Sequence, residues 1–566
     1  MNIVYHKKDH LVPVYQCKTC RHLAISLYAE LLLLHNTGER LSSSLSGAAY
    51  RLRNMNEPVI LLSKEELAKV FRPEITGIIG GLKSNESIGA LDELIQLTPS
   101  GLFEMMRIHG LGGKKLSLLS KTAGIDGIDA LLEACKNDKI SRIAGFGAKT
   151  QQNIIKAIEA YRSNEDRFHY ATVADIAEAL VQKLQQVFKT KQLSLCGEVR
   201  RQATTVAGIE IITVIPAEKH NDKELRSIMV IQSSNKEQTT GHTLDEIPVS
   251  IYHTAKKLFY SELFKRTGNE GHVKKVLDKI SSKAVCTSEE DIYKEAGLHY
   301  IPPEMREDVA EWNFTKKAGS LITLEDIKGV VHNHTDWSDG IDKLPDFVKA
   351  CSHRGYEYVV ISDHSKNAHY AGGLKEDKVL KQLEEIDKLN KMLAPFRIFK
   401  SIECDILIPG ELDYSSDILQ LFDLVIISVH QSLKMNEEKA TKRLIKAIEN
   451  PYTTILGHMT GRQLLIRPGY PVNFTKVIDA CAANNVVIEI NANPYRLDMD
   501  WSHIPYALSK GVMISINPDA HSIGEIENIR WGVSAARKGG LTKDMTWNAM
   551  PLKGIEQWLR KKTDGS

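Results

Sequence analysis

The chain has 566 residues, 42% of them hydrophobic and 25% charged, with a formal net charge of +2. That length exceeds what a single core fills, so several domains are expected, and the near-neutral balance excludes a global basic field: any grip on nucleic acid must be local. Eight irregularly spaced cysteines make no disulfide framework, and neither an apolar targeting segment nor a membrane-length apolar run is present, so a cytoplasmic protein is expected.

Residues 1–16 are polar. Cys17 and Cys20 then form a Cys-x-x-Cys pair that could open a zinc site with His6, His10 or His22, although a firm second pair of ligands is missing. The longest apolar run, Leu23 to Leu34, is interrupted by Ser26 and Glu30 and reads as a buried helix. From about residue 20 to 165 the chain reads as short amphipathic helices joined by glycine turns. Two turns stand out, Ile108 to Lys115 with Gly110, Gly112 and Lys114, and Ile143 to Thr150 with Gly145, Gly147 and Lys149. In each, glycines would let backbone amides approach an anion at a helix N-terminus while the lysine adds charge. The pattern resembles the helix-hairpin-helix element, which holds DNA phosphates without reading bases.

Residues 166–315 are mixed. Strands are predicted at Gln192–Leu195 and Ile209–Ile215, helices at Val173–Phe188, Thr254–Lys265 and His272–Ser281, and a surface hairpin or loop at Ser234–His242. After a polar linker, apolar β-rich runs recur at the stretch before His332 and at 357–362, 397–402, 424–429, 453–456, 486–490 and 512–516, separated mostly by helix-length segments. Such alternation predicts a parallel sheet, and seven units predict a closed barrel.

The ends of these runs carry the chemistry. His332 and His334 follow the first, two apart, where strand alternation would point both the same way, and Asp339 lies in the turn beyond. Asp363-His364, Glu403 with Asp405, His430, His458 and Asp519-Ala520-His521 end later runs. Carboxyl ends of barrel strands are where such folds place their chemistry, so the convergence predicts a multinuclear metal site. The sixth run brings Glu489 and continues into Asn491 and Arg496, read as polar shaping or substrate groups.

Residues 328–530, with HNHTDWSDG, SDHS, IECDIL, SVHQS, GHMTGR and NPDAH, resemble a PHP (polymerase and histidinol phosphatase) domain. The resemblance implies a distorted seven-stranded barrel with three divalent metals, zinc or manganese. It makes His332, His334, Asp339, His364, Glu403, His430, His458, Asp519 and His521 the ligands. Met459 stands where the family has proline. Hydrolysis by a hydroxide activated between metals would need no protein general base, and Lys366 and Arg462 are the expected phosphate contacts.

The order of segments resembles bacterial family X DNA polymerases, as do Gly197-x-x-Arg200-Arg201, Lys265-Arg266-Thr267-Gly268 and Gly297-Leu298-x-Tyr300-Ile301-Pro302-Pro303-Glu304. The resemblance implies a multidomain chain: an all-α N-terminal domain (1–95), helix-hairpin-helix fingers (96–165), an α+β palm (166–255), a thumb (256–315), a linker (316–327) and the α/β PHP barrel (328–566). Nucleotidyl transfer in that family uses three metal-binding aspartates. The matching positions here are Gly208, Glu210 and Pro248, with Ser250 at an expected arginine and Glu198 where the family has a triphosphate-contacting serine. A carboxylate facing a polyanion is repulsive, so the polymerase centre is expected to be degenerate. The expectation is a monomeric, metal-dependent 3′–5′ exonuclease in DNA repair that grips DNA sequence-independently, with 3′-phosphatase or abasic-site cleavage as related activities. A histidinol-phosphate-type phosphatase and a non-catalytic DNA-end binder are the alternatives.

Overall fold

The computed structural model describes residues 21–53, 63, 65, 67, 68, 71–83, 89–108, 110–164, 166–218, 223–280, 286–314 and 318–564. Cys17 and Cys20, the candidate start of a zinc site, lie outside these residues. The chain divides into two compact units, Met1–Asp166 and Arg167–Ser566.

The first unit is helical. Leu27, Leu31 and Leu34 of the helix Arg21–His35 are buried with Leu116 and Leu119 of the helix Gly113–Ala123, spaced to share one face. The two helices approach so closely that a Cβ at Gly113 would overlap the Glu30 carbonyl, which is why glycine stands there. The helix Ile128–Lys136 buries Ile128, Leu131, Ala134 and Cys135 and precedes the helix Ala148–Asn164.

The second unit begins with a two-stranded ribbon, in which β1 (Phe168–His169) pairs antiparallel with β3 (Thr205–Val206). A five-stranded sheet follows, with order β2 (Leu193–Cys196), β4 (Ile209–Thr213), β7 (Pro248–His253), β6 (Gln238–Thr243) and β5 (Met229–Ser234). The polar 234–242 stretch is the turn and second strand of the β5–β6 hairpin. The Asn235 carboxamide accepts from the amides of Glu237 (2.8 Å) and Gln238 (2.9 Å) and so shapes the turn. The helix Tyr170–Phe188 covers the sheet through Val173, Ala177, Leu180 and Leu184. The helix expected at 254–265 opens as a short 3-10 turn, Lys256–Leu258, before Phe259–Thr267. Near it, the buried Arg306 guanidinium pairs with Glu289 at 2.5 Å and faces the rings of Phe264, Tyr293 and Tyr300.

Seven parallel strands then form the barrel: β8 (Gly329–Val330), β9 (Tyr358–Ile361), β10 (Arg397–Asp405), β11 (Leu424–Ser428), β12 (Thr453–Leu456), β13 (Val487–Asn491) and β14 (Ile514–Asn517). They are almost wholly buried, as expected of strands covered on both faces. Tyr358, Val360, Phe399, Leu424, Ile426, Ile455 and Val487 cluster with Trp547 and Ile555 and fill one end of the barrel. Followed with period two, the same inward rows become polar toward the strands' carboxyl ends: Phe399, Ser401, Glu403; Val487, Glu489, Asn491. One row therefore supplies both the apolar floor and the polar site.

The sheet is nearly closed. The His334 amide donates to the Ala520 carbonyl (2.8 Å) beyond the ends of β8 and β14. Lower down, the buried Asn548 side chain bridges the gap by accepting from the Ile516 amide (3.0 Å) and donating to the carbonyls of Ile516 (2.7 Å) and Gly329 (3.2 Å). The expected 316–327 linker is in part barrel: Ile322 and Ile327 are buried in its core, and the Ile322 amide donates to the Leu541 carbonyl at 3.0 Å. No helix among the described residues is long and apolar enough to cross a membrane.

Candidate metal centre

The nine residues expected as ligands come together at the carboxyl end of the barrel. They form four overlapping groups: His332, Glu403 and His458; His332, His334 and Asp519; His364, Glu403 and His430; and His334, Asp339, His364 and His521. In each group the ligand atoms lie within 4.8 Å of one another.

Glu403 is central. Its Oε1 lies 3.2 Å from His332 Nε2, 3.2 Å from His430 Nε2 and 3.0 Å from His458 Nε2. Its Oε2 lies 2.9 Å from His364 Nδ1 and 3.7 Å from His334 Nε2. Yet both Glu403 oxygens, together with His332 Nε2, His334 Nδ1, His364 Nδ1 and His458 Nδ1, are buried without a hydrogen bond. Buried polar atoms are rarely left so, and a cation among these donors would satisfy them. Mixed imidazole and carboxylate donors at this spacing fit borderline divalent metals. Burial opposes ionisation of Glu403 and Asp519, but the surrounding histidines outweigh it and hold both carboxyls well below their usual range.

The two histidines of the HxH motif are not oriented by strand alternation as expected. β8 stops at Val330, and His332 adopts a left-handed backbone, φ 62°. Asp519, another candidate ligand, has φ 52°. Such conformations in non-glycine residues cost energy and gather at functional sites. Between the histidines, Asn333 faces away and donates to the carbonyls of Val330 (3.2 Å) and Val360 (3.0 Å), fastening the break to β9.

Outer carboxylates orient the imidazoles. His332 Nδ1 donates to Glu489 Oε2 at 2.6 Å and His430 Nδ1 to Asp405 Oδ1 at 2.5 Å, which turns each Nε2 inward. Asp363 accepts from the Thr335 amide (2.8 Å), the Thr335 hydroxyl (2.7 Å), the Ser338 hydroxyl (2.5 Å) and Gln382 (2.6 Å), so it holds the turn that carries Asp339. Sequence reasoning gave no such roles to Asp405, Glu489 and Asp363. The acidic residues at strand ends were visible, but their partners were not.

The expected substrate groups are placed unequally. Arg462 is committed to the 496–500 segment, donating to the Arg496 carbonyl (2.9 Å), to the Leu497 carbonyl and to Asp500 (2.5 Å). Lys366 pairs with Glu376 at 2.6 Å. Asn491 is buried and donates to Glu489 (3.0 Å) and Asp519 (2.9 Å), a packing rather than a substrate-facing position. Arg496 reaches the centre, with Nε 3.9 Å from Asp519 Oδ2. Tyr370, which the sequence reading passed over, is 59% exposed, with its ring 6.1 Å from His364 and 6.4 Å from His430.

In the first unit, Gly110 and Gly145 have φ 85° and 89°, conformations glycine takes readily, and each precedes a helix. The hairpins differ in their surroundings. The Gly113 amide donates to Glu30 (2.6 Å) and Lys114 pairs with Glu39, whereas Lys149 is exposed after Gly147. In the palm, Gly208 abuts Pro248, so that a Cβ at 208 would overlap the Pro248 carbonyl. Glu210 lies beside Ser250 in the sheet and accepts from the Tyr252 hydroxyl at 3.2 Å. Among the described residues, every His/Cys/Asp/Glu group able to surround an ion lies in the barrel.

Comparison with known proteins follows the same division. Residues 102–160 match the family model described as a SAM-like helix-hairpin-helix tandem. The chain is similar to a probable phosphatase of Thermoanaerobacter sp. (strain X514), 27% identical over 41% of this chain and 94% of that protein. It is also similar to one of Caldanaerobacter subterraneus subsp. tengcongensis, 25% identical over 41% of this chain and 90% of that protein. Across most of its length the chain is similar to the DNA polymerase/3′-5′ exonuclease PolX of Bacillus subtilis (strain 168), 34% identical over 83% of this chain and 86% of that protein. The chain therefore belongs to the PolX family, the bacterial family X DNA polymerases that carry a C-terminal PHP domain.

Proposed function

We propose that the barrel centre is a metal-dependent phosphoesterase that trims DNA 3′ ends in repair, that the nine clustered residues are its metal ligands, and that the palm no longer polymerises. The observation that carries this reading is Glu403, a buried carboxylate facing five imidazoles with no hydrogen bond to any of them. Zinc or manganese ions held there, three by the PHP resemblance, would activate water and neutralise the phosphate oxygens. The chain's own work is orientation. The Nδ1–H groups of His332 and His430 donate to Glu489 and Asp405, so their Nε2 lone pairs remain available to cations. Arg496 adds a positive charge where a phosphate would approach Asp519.

Polymerase chemistry needs a pair of metals held by carboxylates. Gly208 and Pro248 offer none, and Glu210 is paired with Tyr252. The second hairpin, with Gly145, Gly147 and Lys149, is the better phosphate grip. In the first, Glu30 and Glu39 occupy the Gly113 amide and Lys114, the groups a phosphate would use.

The test is trimming of a 5′-labelled single-stranded oligonucleotide with Mn²⁺, alongside His364→Ala and a metal-chelated sample. Stepwise loss of 3′ nucleotides by the wild type alone is expected. An inert oligonucleotide with rapid release of phosphate from histidinol phosphate would instead favour a small-molecule phosphatase, and binding without cleavage a DNA-end binder.

A further inference from the structure

The β1–β3 ribbon joins the palm to the rim of the barrel. At one end it is clamped by Glu198, which accepts from Arg167 at 2.9 Å and from the Ala207 amide at 3.0 Å, residues that flank the two strands. Arg167 also donates to the Thr205 hydroxyl (3.0 Å) and carbonyl (2.6 Å). The carboxylate that replaces a serine in the family pattern thus fastens the ribbon.

At the other end, His169 Nε2 donates to the Leu464 carbonyl at 3.0 Å, and its ring meets Tyr495 edge-on at 4.8 Å. The Leu464 amide in turn donates to the Tyr495 carbonyl at 2.7 Å. In the helix that follows, Tyr170 packs edge-on against Trp531 at 5.7 Å, Ala174 is buried with Leu497, Trp531 and Ala535, and Asp175 pairs with Arg530 at 2.8 Å. The barrel segment gripped from the palm side is the one whose next residue, Arg496, reaches Asp519. Arg462 holds that segment from the barrel side.

We propose that the palm acts as a positioning element for the barrel: through His169 it holds the 493–498 loop so that the Arg496 guanidinium stands over the metal centre. The inference rests on the reading that phosphoesters are cut there. His169 is a positioning residue, and its effect passes through Arg496.

The test is a double-mutant cycle of His169→Ala and Arg496→Ala, read as kcat and KM for Mn²⁺-dependent oligonucleotide trimming and for hydrolysis of bis(p-nitrophenyl) phosphate, with bound metal measured in every variant. His169→Ala is expected to lower kcat/KM by about tenfold or more at unchanged metal content. In the Arg496→Ala background it should cost less than about twofold. His169→Gln, whose amide can donate to the Leu464 carbonyl, should restore most of the loss. Fully additive losses, loss of bound metal in His169→Ala, or wild-type rates in that variant would overturn the proposal. If the wild type hydrolyses the small diester but not the oligonucleotide, the DNA reading fails, and the cycle on the diester still decides the positioning role. If it hydrolyses neither, both fail.

Discussion

Glu403 shows what a single residue can reveal about a site. A carboxylate 1% exposed and surrounded by imidazoles would normally be satisfied by directed hydrogen bonds, because leaving a buried charge unpaired costs several kcal/mol, of order 3–5. The absence of such bonds, next to outer carboxylates that do make them, separates candidate cation ligands from groups that orient them. Removing an orienting partner should therefore leave the ligands in place and weaken them: Asp405→Asn and Glu489→Gln are each expected to reduce metal affinity about 10- to 100-fold, measured by titration with Zn²⁺ or Mn²⁺ against a competing chelator. At this scale the candidate ligands were legible in the sequence, because each follows an apolar run at the end where barrel chemistry gathers. Their supports were not. His332 and Glu489 are 157 residues apart, and nothing local to either says that they meet. The left-handed turn at His332 was equally hidden, since an apolar run ending in His-x-His reads as a strand right through the motif.

At the scale of elements, the seven β runs could be read because strands buried on both faces are continuously apolar, and their spacing left room for a helix between most of them. The closed barrel could be read from the seven units, but not how the gap between its first and last strands is bridged, because part of that bridge is one side chain from a distant segment. Asn548 stands in for a missing backbone ladder between β8 and β14, so Asn548→Ala should leave the Ile516 amide and carbonyl unsatisfied and destabilise the second unit by about 3 kcal/mol. A denaturant titration of the variant, with unchanged m-value, measures this. The hairpins make a parallel case. Their two glycine-lysine turns look equivalent in sequence, yet helix packing brings Glu30 and Glu39 onto the first alone. Lys149→Ala is therefore expected to weaken binding to duplex DNA about uniformly across sequences and to lower the salt slope by roughly one, while Lys114→Ala should change little. Fluorescence anisotropy across a salt series distinguishes them, and equal effects would contradict the asymmetry.

At the scale of the whole molecule, the proposed reading gives the barrel and the palm different roles. The barrel has a complete ring of imidazoles and carboxylates. The palm has its sheet and its contacts to the barrel rim, Gly208 and Pro248 abut too tightly for a longer residue at 208, and among the described residues no His/Cys/Asp/Glu group able to surround an ion lies there. Family membership was visible from the sequence. That the palm's ribbon reaches the barrel rim was not, because the contact joins His169 to a carbonyl 295 residues away. The central claim is that hydrolysis at the barrel is the only phosphoryl chemistry this chain performs. It is tested most directly by following a 5′-labelled primer on a longer template with all four deoxynucleoside triphosphates and Mn²⁺, in wild type and His364→Ala. The expected result is shortening of the primer by the wild type and an unchanged primer with the variant. Templated lengthening of the primer by His364→Ala would contradict it.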